Sequence, residues 1–568
     1  MLLINTQTLE LDEFVSSEVA PPYAILSHLW ETGEVTFQDW HHQQVRAEKK
    51  GSAKIQSTCR QALRDGYTRV WVDTNCIDKS SSAELSEAIN SMFAWYHGAA
   101  VCYVYMADVP AATLSDTLQE NSPFRKSRWF TRGWTLQELL APRLLVFYAN
   151  DWSELGSNRN QSLLEVVSSV TGIDITCLNG RRVPVEFSVA QIMSWASSRT
   201  TTRPEDRAYC LLGLFEVNMP LLYGEGINAF WRLQQETIKI SDDRSIFAFD
   251  GATTTLAVSP SLFYRSRHVY KHPAPGRDDM NPISSSYQMT NSGLSIRMPL
   301  VPTLSDRFVL GVLDGVFSIR GELGTACVPI CSEAYKYQHQ YNRVTIPFSW
   351  NPISIHTVSD ELVPEHERLG RRRHLNFFPG DARDILISNR KTAVDQNIFR
   401  LLESFNTNVV FFIVFPGGMS GYRLHHHEGL LEREISMMSL VERDGIGKGI
   451  LVFKKEGGSG SSDDYVTIYL QAAANHDTTG VEGFDWPRCC RAMASRTPSV
   501  SFDDLMSPGV MTKASWVGST CVATSMVAAD VLSPAPKMPA VVLVRIIFNT
   551  DELKLVGNDG LIPITNYY

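Results

Sequence analysis

Nine residues within the first 140 have the types and positions from which a ligand site is built. Ser27 and His28 close a short apolar run, Tyr23 to Leu29, with Trp30 just beyond. Asp73 closes a second run, Arg69 to Asp73, and Thr74, Asn75 and Asp78 follow it. Trp134 and Glu138 stand four apart, so they share one face of a helix. In an open parallel sheet, ligands bind outside the carboxyl ends of the strands, which is where these polar groups fall. Glu138 lies among Leu136, Leu139 and Leu140, a setting suited to partly burying a carboxylate and raising its pKa, as chemically active acids require. Each residue also has a plainer reading. Glu138 alone reads as a solvated or capping carboxylate, Asp73 as a turn cap, His28 as a satisfied core histidine, and Trp30 and Trp134 as core aromatics. Spacing alone does not choose between the two.

The elements that must position these groups alternate in character. Tyr23 to Leu29, Arg69 to Asp73, Val101 to Met106 and Leu144 to Tyr148 are compact apolar runs that read as strands. Between them, Lys54 to Leu63 and Ser81 to Tyr96 carry helical spacing. In the second, Ser81 is the cap, Glu84 its return partner, and Leu85, Ile89, Met92 and Tyr96 form one stripe. Gly133 to Leu140 is a short helix stopped before Pro142. Near-continuous apolar strands alternating with helices predict a parallel sheet covered on both faces. Leu163 to Val170, Val189 to Ala196, Glu205 to Phe215 and Ile227 to Ile240 read as further helices. From about Ser245 the texture is β-rich: Gly293 to Met298, Phe308 to Phe317, Val344 to Phe348, Val409 to Phe415, Tyr465 to Leu470 and Val541 to Phe548, separated by Gly, Pro and Ser turns. That pattern predicts an all-β, sandwich-like domain, with Gly457 to Asp464 a flexible loop inside it.

Composition bounds the rest. The 568 residues make about three or four domains at ~150 residues each, or two if one is a large β-domain. The expected division is an α/β domain over 1–155, a helical continuation over 156–245 and a β-rich domain over 246–568. Fifty-two basic against 61 acidic residues give a net charge of −9, which argues against a protein that coats nucleic acid. The N-terminus lacks the order of a secretion signal, and the most apolar stretches, 408–415 and 540–548, fall far short of the ~20 residues of a membrane helix. The 10 cysteines contain no CxxC, so a reduced, cytoplasmic protein with no membrane span is expected.

Longer blocks carry a family resemblance. PPYAILSHLWETGEVTF (Pro21 to Phe37), VWVDTNCIDKSSSAELSEAINSMFAWY (Val70 to Tyr96) and RGWTLQELLAP (Arg132 to Pro142) resemble the fungal heterokaryon-incompatibility (HET) domain. MSWASSRTTTRPEDRAYCLLGLF (Met193 to Phe215), MPLLYGEGINAFWRLQ (Met219 to Gln234) and SDDRSIFAF (Ser241 to Phe249) resemble its continuation, so the likeness covers about residues 1–250. The HET domain is in turn similar to TIR domains, whose flavodoxin-like sheet has the same ordered features: a small polar residue ending the first strand (Ser27), an acidic residue after the second (Asp73), and a Trp-x-x-x-Glu-Leu helix. In NAD-cleaving TIR domains that motif holds the catalytic glutamate, so the resemblance gives Glu138 this role. Thr135 departs from the cysteine many TIR domains carry there, and Trp30 to Ser52 is longer than a TIR loop.

The resemblance implies a cell-death effector of self/non-self recognition, a form of fungal innate immunity, that hydrolyses NAD to nicotinamide and linear or cyclic ADP-ribose. NAD is then substrate, with no cofactor and no metal. Ser27 and His28 would line the nucleotide, Asp73 would bond a hydroxyl or amide, Trp134 would wall the pocket, and Trp30, Asn75 and Asp78 would complete it. Activity would depend on a homo-oligomer, and a protein partner in incompatibility signalling is expected. The alternative, from a different class, is a non-enzymatic recognition module acting through protein association.

Other signals carry less. Consecutive strand residues face opposite sides, so His425, His426 and His427 make a poor preformed metal site and read as a surface loop. Cys327, Cys331 and His339 lack the second ligand pair of a zinc site. Gly445 to Gly449 has no Ser or Thr after Lys448 and is too short for a Walker loop; Gly417 to Gly421 lacks the spacing of a nucleophile elbow. Arg132 and Thr200 to Arg207 suit helix capping or phosphate binding, with capping the expectation.

Overall fold

The computed structural model describes residues 1–251 continuously, then segments 255–271, 287–305, 307–319, 322–332, 340–344, 353–356, 383–388, 409–414, 421–433, 436–439, 441–443, 446–461, 464–473, 490–495, 514–517, 520–527 and 540–547. The chain divides into two compact units, Met1–Ser241 with Leu256–Arg267, and Asp242–Thr255 with His268–Tyr568.

The first unit is built on seven strands: β1 (Leu2–Asn5), β2 (Leu11–Glu13), β3 (Ala24–His28), β4 (Arg69–Trp71), β5 (Val101–Tyr105), β6 (Leu145–Tyr148) and β7 (Glu154–Ser157). Their spatial order is β2-β1-β4-β3-β5-β6-β7. β4, β3, β5 and β6 pair in parallel, and all five residues of β3 are buried, as a strand covered on both faces requires. At both edges the expected parallel sheet is corrected: β1 pairs antiparallel with β2 and β4, and β7 antiparallel with β6. The reason is connection length. Residues 6–10 and 149–153 are too few for a crossover, so each can only return the chain antiparallel.

Its helices are α1 (Phe37–Trp40), α2 (Gln43–Glu48), α3 (Gly51–Arg64), α4 (Ser82–Gly98), α5 (Leu114–Leu118), α6 (Thr135–Leu140), α7 (Gln161–Thr171), α8 (Ile175–Leu178), α9 (Val189–Trp195), α10 (Asp206–Tyr209) and α11 (Asn228–Ile240). α4 starts where Ser81 predicts, its Oγ accepting from Glu84 N. The return half of the box differs: the Glu84 carboxylate accepts from Asp78 N at 2.8 Å, because Ser81 N already donates to Asp78 O. The expected helix over Glu205 to Phe215 is broken into α10 and a 3-10 turn at Leu212–Leu214. Gly213 there packs on α4 so closely that a Cβ would lie 2.1 Å from Phe93 Cβ.

The second unit is β-rich, its described residues forming sheets of nine, six and five strands. Strands occupy Gly293–Met298, Phe308–Ile319, Val409–Val414, Tyr465–Ala473 and Ala540–Ile547, at the apolar runs. Val344 lies outside a strand, and the rest of its run falls outside the described residues. The His425 to His427 tract is corrected from loop to strand, within Tyr422–Glu428, with a register shift between Leu424 and His426. Phe411, Ile413, Val544 and Ile546 of the six-stranded sheet share one buried cluster with Leu451, Phe453, Ile468 and Leu470 of the five-stranded sheet.

Candidate functional site

The four parallel strands, counted along the chain, lie in the order second, first, third, fourth. The order reverses at β3, so β3 and β5 send their connections to opposite faces and a crevice opens at their carboxyl ends. Ser27 and His28 are the last residues of β3 and, as strand neighbours, point to opposite faces. Ser27 meets α6 on one side and His28 meets α3 on the other, which divides the site into two clusters.

On the α6 side, Ser27 Oγ donates to Glu138 Oε2 at 2.5 Å and accepts from Trp129 Nε1 at 2.8 Å. Glu138 is 7% exposed. Burial pushes its carboxyl up to about 8 and Asp73 adds to the rise; the Ser27 hydrogen bond, Arg132 and Arg199 oppose it. Trp129, fully buried, sits on a 3-10 turn at Arg128–Thr131. Asp108, just past β5, fixes the start of that turn by accepting from Ser127 Oγ at 2.7 Å and Arg128 N at 2.8 Å.

The later helical region holds α6 in place. Thr200 and Gly133 run side by side, with Gly133 N donating to Thr200 O at 2.8 Å and Thr200 N to Thr131 O at 2.7 Å. Buried Arg199 donates from Nη1 to Thr135 Oγ1 at 2.8 Å and Arg132 O at 3.0 Å, and from Nε to Trp195 O at 3.2 Å. Thr135 Oγ1 in turn donates to Trp129 O at 2.6 Å. The threonine at this position thus accepts from a guanidinium and donates to a carbonyl, a double duty a weakly hydrogen-bonding thiol performs poorly.

On the α3 side, Asp73 Oδ1 lies 3.1 Å from His28 Nε2, and its Oδ2 accepts from Trp30 Nε1 at 2.7 Å. Lys54 Nζ stands 2.7 Å from His28 Nδ1 and donates to Glu34 Oε1 at 2.6 Å. A carboxylate only accepts, so Nε2 carries a proton toward Asp73, while Nδ1 lies between Lys54 Nζ and the Leu29 carbonyl oxygen at 3.0 Å. Burial works against the Asp73 charge, but the His28 hydrogen bond, Lys79 and the Trp30 hydrogen bond outweigh it and hold the carboxyl well below the usual range. The two carboxylates that end on this crevice therefore titrate at opposite extremes, one easily neutral and one always charged.

The remaining expected residues fall as follows. Asn75 is fully buried, and neither of its amide atoms has a hydrogen-bond partner among the described residues. Asp78 organises a turn, accepting from Gln38 Nε2 at 2.7 Å and Ser80 Oγ at 2.6 Å, a capping role. Trp134 is half-buried at the start of α6 and hydrogen-bonds Asp206, which turns it toward the 200s. Trp129, Lys54, Glu34 and Arg199 were not singled out from the sequence, although Lys54 and Arg199 lie in stretches read for other reasons. No group of three His, Cys, Asp or Glu suited to a metal occurs among the described residues. Nor is any described helix long and apolar enough to cross a membrane.

Comparison with known proteins finds two matches. Residues 23–122 match the family described as "Heterokaryon incompatibility protein (HET)"; the match ends before α6, so it takes in Ser27, His28 and Asp73 but not Glu138. Over 211 residues the chain is 48% identical to "Vegetative incompatibility protein HET-E-1" of Podospora anserina, covering 36% of this chain and 15% of that protein. No solved structure matches. Residues 23–122 are thus similar to a HET domain, and the chain's match spans about 15% of the length of the relative it resembles.

Proposed function

We propose that the first unit is a TIR-like, flavodoxin-type α/β domain that cleaves the nicotinamide–ribose bond of NAD, and that this reaction makes the protein an effector of heterokaryon incompatibility and cell death. The observation that carries the reading is the Ser27–Glu138 hydrogen bond at the carboxyl end of β3, which aims a buried carboxylate at the crevice of a sheet with the doubly wound order. The chemistry follows from the charges. Nicotinamide leaves as a neutral molecule, the ribose gains oxocarbenium character, and water attacks, giving nicotinamide, ADP-ribose and a proton. A carboxylate beside the ribose stabilises that cation more in the transition state than in the ground state. The leaving group is already cationic, so one carboxylate suffices without a paired acid.

Glu138 is the catalytic residue in this account. Its proton is lost as the positive nicotinamide ring approaches, since a nearby cation favours the charged form. Asp73, already charged and braced by His28 and Trp30, takes the sugar hydroxyls, and the buried Asn75 amide lies beside it in sequence with capacity to spare. Self-association completes the active form. The region over 156–245 serves the domain as the brace of α6, and the region over 246–568, which we read as sandwich-like from its shared two-sheet core, senses the trigger.

The experiment is expression of wild type and Glu138→Gln in fungal cells, scoring viability and cellular NAD together. The enzyme reading expects NAD loss and death from wild type and neither from the folded variant. A folded variant that still kills would overturn it in favour of a recognition module that acts by association.

A further inference from the structure

At the crevice, Lys79 and Arg132 feel its carboxylates, Asp73 and Glu34 for one and Glu138 for the other, yet neither is taken up in a direct ion pair among the described residues. Trp30 projects from the end of β3, 43% exposed, with its indole nitrogen held by Asp73. Lys79 Nζ sits 3.7 Å from the centre of the Trp30 ring, and the Arg132 guanidinium 5.9 Å from it. Neither side chain makes an ion pair or hydrogen bond with any other described residue. Arg132 was expected to cap a helix; in the structure its backbone carbonyl does the structural work, accepting from Arg199, and its half-buried side chain is left over. By contrast Arg128 nearby is already engaged by Asp108 at 3.5 Å. The two cations come from the connection after β4 and the turn before α6, and both reach the Trp30 ring. Unpaired like charges held close repel each other, and an anion between them removes that cost while gaining charge-assisted hydrogen bonds.

We propose that Lys79 and Arg132, flanking Trp30, form an anion subsite that takes the pyrophosphate of a dinucleotide. The inference rests on the NAD reading for its choice of ligand and deepens it to substrate class: the domain prefers a dinucleotide to a nucleoside with the same nicotinamide–ribose bond. Glu138 and Asp73 address the ribose at the floor of the crevice, and the two cations hold the phosphates at its rim. Arginine gives a planar fork for two oxygens and lysine a point charge.

The test measures binding of inorganic pyrophosphate to the full chain by calorimetry at low ionic strength, for wild type, Lys79→Met, Arg132→Met and Lys79→Arg, with circular dichroism on each. NAD and nicotinamide riboside turnover are measured beside it. The subsite expects wild-type binding that weakens steeply with salt, falls at least tenfold in either Met variant and is largely restored in Lys79→Arg. It also expects the ratio of kcat/KM for NAD over nicotinamide riboside to fall at least tenfold in the Met variants, through KM. Pyrophosphate binding that is absent from folded wild type, or unchanged in the Met variants, overturns the subsite. Pyrophosphate bound as expected with no turnover of either substrate upholds the anion subsite while the NAD-cleaving reading fails.

Discussion

Replacing Glu138 by Gln keeps the shape of the side chain and removes its titration, and the consequence for stability is large enough to measure. In the folded chain the Glu138 carboxyl is raised from 4.5 to about 8 by burial. Between those values the folded state holds a proton that the unfolded state has released, so stability falls as pH rises, by about 1.4 kcal/mol per pH unit. The contribution is fully present below pH 4.5 and is lost by about pH 8. From pH 6 to pH 8 the loss amounts to about 2 kcal/mol, allowing for partial ionisation at the upper end. Glutamine has nothing to lose over this range. Subtracting wild type from Glu138→Gln at each pH cancels the other titrating groups, which the two chains share. The variant's advantage in the first unit's unfolding therefore grows by about 2 kcal/mol from pH 6 to pH 8. For a unit of about 250 residues this is a widening Tm gap of roughly 4–8 °C, read by scanning calorimetry. A gap that stays constant from pH 6 to pH 8 would mean that Glu138 ionises like an exposed glutamate, and the argument from its burial would fall.

Three further outcomes follow from the same contacts. Ser27→Ala removes the hydrogen bond that favours the charged form, so the Glu138 pKa rises further and the pH midpoint of nicotinamide release moves up; the orphaned Trp129 Nε1 also costs about 1–3 kcal/mol in urea unfolding. Arg199→Met strips three hydrogen bonds from α6 and its neighbours and removes a positive charge near Glu138, lowering stability by about 3 kcal/mol and shifting the pH profile the same way; Arg199→Lys does not restore it, because a point charge cannot reproduce the fork. Gly213→Ala drives a methyl into Phe93 and lowers the first unit's unfolding free energy, read in urea, by about 1–3 kcal/mol with the pH profile unchanged.

The strands and helices around the site were legible because each is a short apolar run or stripe ending in punctuation that local chemistry dictates, as at Ser81 and before Pro142. The antiparallel edges were less so: the apolar residues of Met1 to Phe14 are split by the polar stretch Asn5 to Thr8, and the strands on either side are set by pairing, β1 with β4 and β2 with β1. Ser27 and Glu138 were found as strand end and helix face, yet what joins them lies 111 residues apart in sequence, a separation no spacing rule spans. Trp129 and Arg199 escaped for the same reason, since their roles are set by distant partners: Ser27 for one, Thr135 for the other. Lys54 begins a stretch legible only as helical spacing, although its long side chain reaches back to His28. Trp134 matched a motif, but its indole bonds Asp206, a partner 72 positions on that only the fold brings near.

Nicotinamide release from NAD by the purified full chain, wild type beside Glu138→Gln, with both proteins shown to be folded and with forced clustering to supply self-association, tests the central claim most directly. The account predicts release by wild type that increases with pH up to about 8 and a loss of at least a thousandfold in the variant. Equal release by both, or none from clustered wild type at any pH, would contradict it.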